Sequence, residues 1–342
     1  MVGDLYQRSP RIYWTDLLLS AGVAWALVAV YFTAPAWSAV QLMAFLGASL
    51  LLFRAGTFMH ELVHLPAGQL RGFGPVWNLT VGVPLLAPWI FYRNHVDHHS
   101  AKFFGTPDDG EYLPLAASPL RETLKYLAQA PLLPVLAAIR FGLLGPLSWL
   151  HRGLREWTLT AASAGVINPH YRKRFPSRDE THLLVVESLC FGYLLTIVLL
   201  VLAGLVTGRH LLMAYVLLAW TLALNWVRTL AAHRFTNRGE PVSHLDQFQD
   251  AINITGQNAF SELMFPVGLR YHATHHLFPS MPYHNLGIAH RRLSERLPPA
   301  CAYHAAGRHS FFAAVSELLR GAWQTSSEHS AMPPWRHRSS RS

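Results

Sequence analysis

The stretch LLVVESLCFGYLLTIVLLVLAGLV, residues 183–206, decides the class of fold. Its only charged residue is Glu187, close to its start. A helix needs roughly 20 apolar residues to cross the hydrocarbon core of a bilayer. The stretch therefore predicts a transmembrane helix, and we interpret the rest of the chain as that of an integral membrane protein.

Three further runs of this kind occur, at about residues 13–33, 37–58 and 211–230. The turn TAPAW (33–37) joins the first pair of runs, and VTGRH (206–210) joins the second pair. The sequence thus predicts an all-α integral membrane fold with four transmembrane helices in two hairpins. Two other apolar stretches, 81–92 and 128–150, contain prolines and are interpreted as interfacial helices on the membrane face. For these, a re-entrant or fifth span remains the alternative.

Composition and charge agree with a membrane protein. Hydrophobic residues make up 51% of the chain and charged residues 14%, whereas a soluble domain has about 25% charged residues. The net charge of +9 is more typical of basic cytoplasmic loops than of nucleic-acid binding, so nucleic acid is not expected as a partner. The two short turns contain Arg209 as their one arginine, so the N-terminus, residues 59–182 and the chain after His233 are predicted to be cytoplasmic.

Residues 1–324 are expected to form a single domain, and the polar end, 325–342, is expected to be a disordered tail. The excess of arginine over lysine suggests a GC-rich genome, so we expect a multi-pass protein of a bacterial inner membrane. Cys190 and Cys301 are the only cysteines, which indicates neither a disulfide framework nor a cysteine metal site.

The 20 histidines are concentrated in MHELVH (59–64), RNHVDHHS (93–100) and RYHATHHLFP (270–279). Residues at i, i+3 and i+4 share one face of a helix, so each segment should present its imidazoles together. The first segment and RTLAAHRF (228–235) directly follow predicted spans that end on the cytoplasmic side. We therefore predict a cytoplasmic, histidine-rich multi-metal cap. Its ligands are predicted to be His60, His64, His95, His98, His99, His233, His272, His275 and His276.

Two other classes of protein compete with this interpretation. HELVH matches the zinc-protease pattern H-E-x-x-H, but such a site has no use for two H-x-x-H-H clusters, so a metalloprotease is a remote alternative. Glu61 is then interpreted as a residue that orients an imidazole. A haem protein would place paired histidines inside the spans, and a transporter would carry ionisable residues at mid-membrane. The positions of the histidines and of Glu187 argue against both.

From about Leu50 to Arg296 the chain resembles the membrane-bound fatty acid desaturase superfamily, which includes hydroxylases and ketolases. The resemblance is carried by HELVH, HVDHH and HATHH in that order, by AAHRF after the last span, and by YHATHHLFPSMPYHNL (271–286). It implies two non-haem irons held by the nine histidines, with O2 as co-substrate. It also implies a lipid acyl substrate and a separate electron carrier of the ferredoxin or cytochrome b5 type.

The activity implied is O2-dependent introduction of a double bond into a lipid acyl chain. The alternative is a hydroxylase or ketolase acting on an alkane, carotenoid, sterol or sphingoid chain. Box one has three residues between its histidines, whereas several desaturases have four. The three-residue spacing is shared with hydroxylases and some bacterial desaturases, which leaves the reaction outcome open. Thr229 stands where some acyl desaturases have an asparagine that holds a metal-bound water. With Glu61 and Thr229, we expect Asp97, Glu262 and His284 to support the ligands without binding metal.

Overall fold

The computed structural model describes residues 1–163, 167–173, 175–176, 179–256 and 258–337. The α-helices of this part of the chain are α1 Pro10–Thr33, α2 Ala39–Val63, α3 Phe73–Trp77, α4 His95–His98, α5 Leu120–Leu127, α6 Gln129–Ile139, α7 Gly145–Leu150, α8 Arg152–Ala161, α9 Glu180–Leu202, α10 Gly208–Thr229, α11 His244–Asp250, α12 Ala259–Met264, α13 His272–Leu277, α14 Tyr283–Arg296, α15 Ala302–Ala305, α16 Phe311–Gln324 and α17 Pro333–His337. Short 3₁₀ helices cover Gly3–Tyr6 and Trp89–Tyr92, and π-helical turns cover Asn78–Gly82 and Arg140–Leu144. Strands β1 Asn253–Ile254 and β2 Gly307–Arg308 pair in parallel, with Asn253 opposite Gly307.

The predicted all-helical membrane fold is confirmed. The four predicted spans correspond to α1, α2, α9 and α10, each long and apolar enough to cross a bilayer. Helix α2 continues about one turn past its predicted end at residue 58, because no proline or glycine interrupts FMHELV. This extension places His60 on the last turn of the helix and His64 at its C-cap.

The two predicted interfacial segments differ from expectation in different ways. Residues 81–92 do not form an interfacial α-helix, since Pro84 and Pro88 break the segment between a π turn and the Trp89–Tyr92 turn. Its side chains Val81, Ile90 and Phe91 are buried inside the protein. Residues 129–150 form one apolar helical stretch of α6, the π turn and α7 that could span a bilayer by length. Length and composition therefore give five candidate spans, and the predicted count of four is not confirmed.

Packing brings the ends of the long helices and the histidine segments together. Helices α1 and α2 form an antiparallel pair, and α10 packs against α2 and α6. Helix α11 packs against α13, and β1 pairs with β2 and, through Asn253, with Tyr271 directly before α13. The C-terminal ends of α2 and α10 thus lie beside α4 and α13, the two short helices that carry the remaining histidine boxes.

The chain after residue 324 is more ordered than its composition predicts. The Trp335 side chain is fully buried, and its indole Nε1 donates a hydrogen bond to the carbonyl of Tyr112 at 3.2 Å. Ala331 donates its backbone N–H to the carbonyl of Ala117 at 3.0 Å. The apolar residues Ala331, Met332 and Trp335 provide enough burial to fix this part of the tail, while 338–342 lie outside the described residues.

Candidate metal centre

The structure brings all nine predicted histidines together in two adjacent groups. In each group, one ring nitrogen per histidine lies within 4.8 Å of those of all the others. The first group contains His60, His64, His95, His99 and His275, and the second contains His98, His233, His272 and His276. The ring centroids of His99 and His276, one from each group, are 4.3 Å apart. The two groups therefore form one continuous cluster of imidazoles.

Helix geometry explains how one histidine box supplies both groups. His95 and His99 belong to the first group, whereas His98 between them belongs to the second. A helix turns by about 100° per residue, so i+4 lies about 40° to one side of i and i+3 about 60° to the other. The same separation holds in box three, where His275 joins the first group and His272 and His276 the second. The prediction that each box faces one direction was too coarse in this respect.

Close contacts between ring nitrogens show that the site is suited to cations. In the second group, the Nε2 atoms of His98 and His272 lie 3.1 and 2.9 Å from Nε2 of His233. Nδ1 of His98 lies 2.8 Å from Asp109, and a carboxylate only accepts, so the proton of His98 is at Nδ1. Nδ1 of His233 faces Asp250 at 3.2 Å, which favours the same tautomer. Lone pairs on Nε2 of His98 and His233 then face each other.

A shared metal ion satisfies this arrangement, whereas a hydrogen bond between the two bare nitrogens does not. Two imidazole nitrogens each about 2.1 Å from one ion, at right angles, are about 3.0 Å apart. The first group has matching contacts, with His99 Nε2 at 3.1 Å from Nε2 of both His95 and His275. Both ring nitrogens of His60 and Nε2 of His64 are buried without a hydrogen-bond partner. The donor set thus fits two ions of a metal that prefers imidazole.

Most of these imidazoles are held neutral, as metal ligation requires. Burial lowers the pKa of His64 to about 3 and also lowers the pKa of His233. Burial and neighbouring imidazoles hold the pKa far below 6.5 for His95, His99, His272, His275 and His276. Burial also acts to lower the pKa of His98, but the nearby carboxylates, Asp109 foremost, outweigh it and raise the value.

Four residues that the sequence analysis did not identify contact the outward ring nitrogens. Asp109 and Asp250 face Nδ1 of His98 and of His233. The Tyr92 hydroxyl lies 3.1 Å from Nδ1 of His95 and donates to Glu111, and Gln247 Nε2 lies 3.3 Å from Nδ1 of His276. Such outer contacts fix the tautomer and ring orientation of a metal-binding histidine. No fixed sequence spacing relates the two aspartates to their histidines.

The five residues predicted to support the ligands lie elsewhere. Glu61 accepts hydrogen bonds from the Tyr13 hydroxyl and from the backbone N–H of Tyr283, and Thr229 donates to the carbonyl of Asn225. Asp97 is exposed on the outer side of box two.

The remaining two are bound away from the imidazole cluster. Glu262 pairs with Arg270, and His284 accepts from the backbone N–H of Ser9. In the part of the chain that the structure describes, none of the five hydrogen-bonds to a ligand nitrogen.

Comparison with known proteins identifies the group to which this chain is related. The model of the fatty acid desaturase family matches residues 34–308, which include both histidine groups and four of the five candidate spans in full. The chain is also 36% identical to the ceramide hydroxylase of Caulobacter vibrioides (strain NA1000 / CB15N) over 331 residues, 96% of this chain and 94% of that protein. No solved structure matches significantly. The chain therefore belongs to the fatty acid desaturase family and is a membrane lipid oxidoreductase of the desaturase and hydroxylase type.

Proposed function

We propose that this protein hydroxylates the hydrocarbon chain of a ceramide-like lipid, using O2 and a pair of irons. The observation that carries the reaction type is the 36% identity to a ceramide hydroxylase along nearly the full length of both chains. The three-residue spacing of box one, shared with hydroxylases and with some bacterial desaturases, does not decide between the two reactions. The substrate class corresponds to the sphingoid chain among the alternatives that the sequence leaves open.

Desaturation of a lipid acyl chain, the leading expectation from the sequence, is the second candidate. The family match supports it, and the two reactions require the same starting materials. Each uses one O2, two electrons and two protons. Hydroxylation inserts one oxygen atom and releases one water, whereas desaturation removes two hydrogens from the lipid and releases two waters.

Two irons held by the nine histidines would supply the oxygen activation that cleavage of an aliphatic C–H bond requires. The protein's own residues keep this site dry and rigid. Nine imidazoles lie mostly buried, and Phe104 packs on the rings of both His98 and His233, with centroids at 5.0 and 5.3 Å. Asp109 accepts a hydrogen bond from Nδ1 of His98, and Asp250 lies 3.2 Å from Nδ1 of His233. Both carboxylates favour a proton on the nitrogen that faces away from the cluster. A dry enclosure limits side reactions of a strong oxidant.

The cellular setting follows the charge distribution of the sequence. We propose that the histidine cluster and both termini lie on the cytoplasmic side of a bacterial inner membrane, where most of the arginines outside the spans are. Reducing equivalents would come from a separate acidic carrier of the ferredoxin or cytochrome b5 type. The net charge of +9 supports docking of such a carrier.

Metal content tests the site before any reaction is assayed. We expect two irons per chain in protein from iron-supplemented cells, measured by mass spectrometry. The double variant His98→Ala, His275→Ala, which removes one ligand from each group, should lose them. One zinc per chain, kept in this variant and lost only on changing His60 and His64, would instead support the metalloprotease alternative.

Product analysis then separates the two reactions. The purified protein is supplied with ¹⁸O2, a ferredoxin reducing system and either a ceramide or a diacyl phospholipid. The proposal requires one ¹⁸O atom in the ceramide and no product from the double variant. A product that has lost two hydrogens and contains no ¹⁸O would establish the desaturase instead. Reduction rates that do not change with ionic strength would rule out charge-guided docking of the carrier.

A further inference from the structure

The segment from Gln129 to Ala161 contains α6, the π turn, α7 and α8. Helices α6 and α7 together are long and apolar enough to cross the bilayer. Their outward residues Leu132, Leu136 and Leu143 are more than half exposed, as expected of a surface that faces lipid. The contacts of the segment decide between a crossing and a return to the same side.

Both flanks of the segment lie on the side of the histidine cluster. Before it, the Tyr126 hydroxyl donates a hydrogen bond to the carbonyl of Trp226 at 3.0 Å, within the last turn of α10. After it, Asn168 donates its backbone N–H to the carbonyl of Gly110, and Lys173 donates to the side chain of Asn94, each at 3.0 Å. Asn94 directly precedes box two. A single crossing would place these flanks on opposite faces of the membrane.

One carboxylate holds the segment at two points. Arg140, in the π turn, and Arg155, in α8, bind different oxygens of Glu187, with the Arg155 contact at 2.6 Å. Glu187 lies about two turns inside α9, roughly 10 Å from its start at Glu180. The chain therefore reaches the same depth at residue 140 and at residue 155.

The residues between these two points lie beside a later part of α9, further from its start. A Cβ atom on Gly142 would be 3.2 Å from Leu194, and the rings of Trp149 and Phe191 are 6.0 Å apart. Both partners are further along α9 than Glu187. The α-helical pattern is interrupted by the π turn at Arg140–Leu144 and by the extended residue His151, which allow the reversal.

The same ion cluster contacts the turn that leads into box two. The Arg140 guanidinium lies 5.5 Å from the centre of the Phe91 ring, and Phe141 packs on Phe91 at 5.5 Å. The next residue, Tyr92, stacks on His95 with ring centroids 4.9 Å apart. Glu187 is thus connected to a predicted metal ligand through Arg140, Phe91 and Tyr92.

We infer that Gln129–Ala161 is a re-entrant hairpin that does not cross the membrane. The ion pairs of Arg140 and Arg155 with Glu187 fix this hairpin to α9, and through Phe91 and Tyr92 they position His95 in the candidate metal centre. Charged groups at membrane depth are costly unless paired, and Glu187 and Arg140 are both almost fully buried. A buried ion cluster of this kind can serve as a fixed point between two helices. Here it joins α9 to a hairpin that packs on box two.

Cysteine labelling in intact cells tests the hairpin. In a Cys301→Ser background that retains the buried Cys190, single cysteines replace the exposed Lys125, Arg172 and Leu205. A membrane-impermeant maleimide should label positions 125 and 172, one on each flank of the segment, from one side of the membrane and position 205 from the other. If position 125 is instead labelled together with 205, and position 172 from the opposite side, the segment crosses and the hairpin is refuted.

Metal release tests the positioning role, which rests on the proposed function. The iron-loaded protein is mixed with an excess of chelator. We expect Glu187→Gln to release metal at least fivefold faster than Glu180→Gln, a matched change at an exposed position of the same helix. Glu187→Asp, which keeps the charge, should restore much of the slow release. Equal rates in Glu187→Gln and Glu180→Gln would refute the positioning role.

Phe91 provides a second test of positioning, and metal binding by the wild type separates this inference from the proposed function. If Glu187→Gln does not fold, Phe91→Leu removes the ring that Arg140 contacts and leaves the ion pairs of Glu187 with Arg140 and Arg155 in place. It should also accelerate metal release, and an unchanged rate would count against positioning. If the wild-type protein binds no metal at all, the proposed function fails. The labelling result does not depend on the metal and would still stand.

Discussion

Asp109 holds His98 from the side opposite the imidazole cluster. Its Oδ2 accepts from His98 Nδ1 at 2.8 Å and from the backbone N–H of Gly105, while Oδ1 accepts from the N–H of Glu111. All of these partners donate hydrogen bonds to the carboxylate. In Asp109→Asn, the amide NH2 would therefore face at least one N–H donor and could not accept from it. We expect ten- to hundredfold weaker metal binding in this variant, measured by chelator competition. Asp97→Asn, one residue before His98 but exposed, is the matched control and should bind metal as the wild type does.

Glu111 gives the protein a pH-dependent stability. Burial raises the pKa of this carboxyl to about 7 from an ordinary value of 4.5. The folded protein therefore holds a proton that the unfolded chain has released between these values, so stability falls as pH rises from 4.5 through 7. Glu111→Gln cannot release a proton there. Relative to the wild type, it should gain about 2 kcal/mol in unfolding free energy between pH 5.5 and pH 8.

Thermal unfolding in detergent at both pH values measures this difference. Asp246→Asn is the control, since that carboxyl is exposed, with its pKa below the ordinary value through its hydrogen bond to Ser243, and so stays ionised across this range. A pH dependence that is the same in Glu111→Gln and in the wild type would contradict the raised pKa of Glu111.

The sequence identified the nine histidines that cluster but not the residues behind them, for a physical reason. A histidine box presents its imidazoles through helix geometry, which is local and can be read from spacing. Asp109 and Asp250 reach His98 and His233 through the path of a loop, which no local pattern encodes. Asp97 and Glu262 are near the boxes in sequence, which predicts a supporting role for both. In the structure Asp97 is exposed and Glu262 pairs with Arg270.

At the scale of elements, Glu61 joins three helices. It lies on the last turn of α2 and accepts from the Tyr13 hydroxyl on α1 and from the backbone N–H of Tyr283 at the start of α14. Tyr13→Phe would leave this buried carboxylate with one partner fewer. We expect a loss of about 1–3 kcal/mol in stability, seen as a lower unfolding temperature in detergent. Tyr6→Phe, at an exposed ring, should change the unfolding temperature little. Equal effects of the two substitutions would argue against a stabilising role for the hydrogen bond between Tyr13 and Glu61.

The long apolar helices could be predicted because hydrophobic length is a strong signal, and α1, α2, α9 and α10 all form. The segments 81–92 and 129–150 could not, since both contain prolines and apolar residues whose surroundings only the fold decides. Residues 81–92 become buried core, while α6 and α7 expose leucines beside a buried arginine. Hydropathy alone does not distinguish a crossing helix from one that turns back.

At the scale of the whole molecule, the segment around Trp335 is linked to the candidate metal centre. Trp335 donates to the carbonyl of Tyr112, whose hydroxyl donates to Asp250 at 2.9 Å, and Asp250 faces His233. Composition predicts a disordered tail because the segment is polar, but Trp335, with Ala331 and Met332, supplies the missing apolar burial. Trp335 is thus connected to the second histidine group by three successive contacts.

Removing this indole should therefore affect both stability and metal binding. We expect Trp335→Ala to cost about 3–5 kcal/mol, the usual range for a large aromatic residue removed from a core. It should also release metal faster than the wild type, because Tyr112 loses its contact with Trp335 and then holds Asp250 less firmly. Trp323→Ala is the control, since that ring is 78% exposed, and it should stay within about 0.5 kcal/mol of the wild type. If truncation after residue 324 leaves unfolding temperature and metal release unchanged, the tail has no such role and only the composition-based prediction of disorder survives.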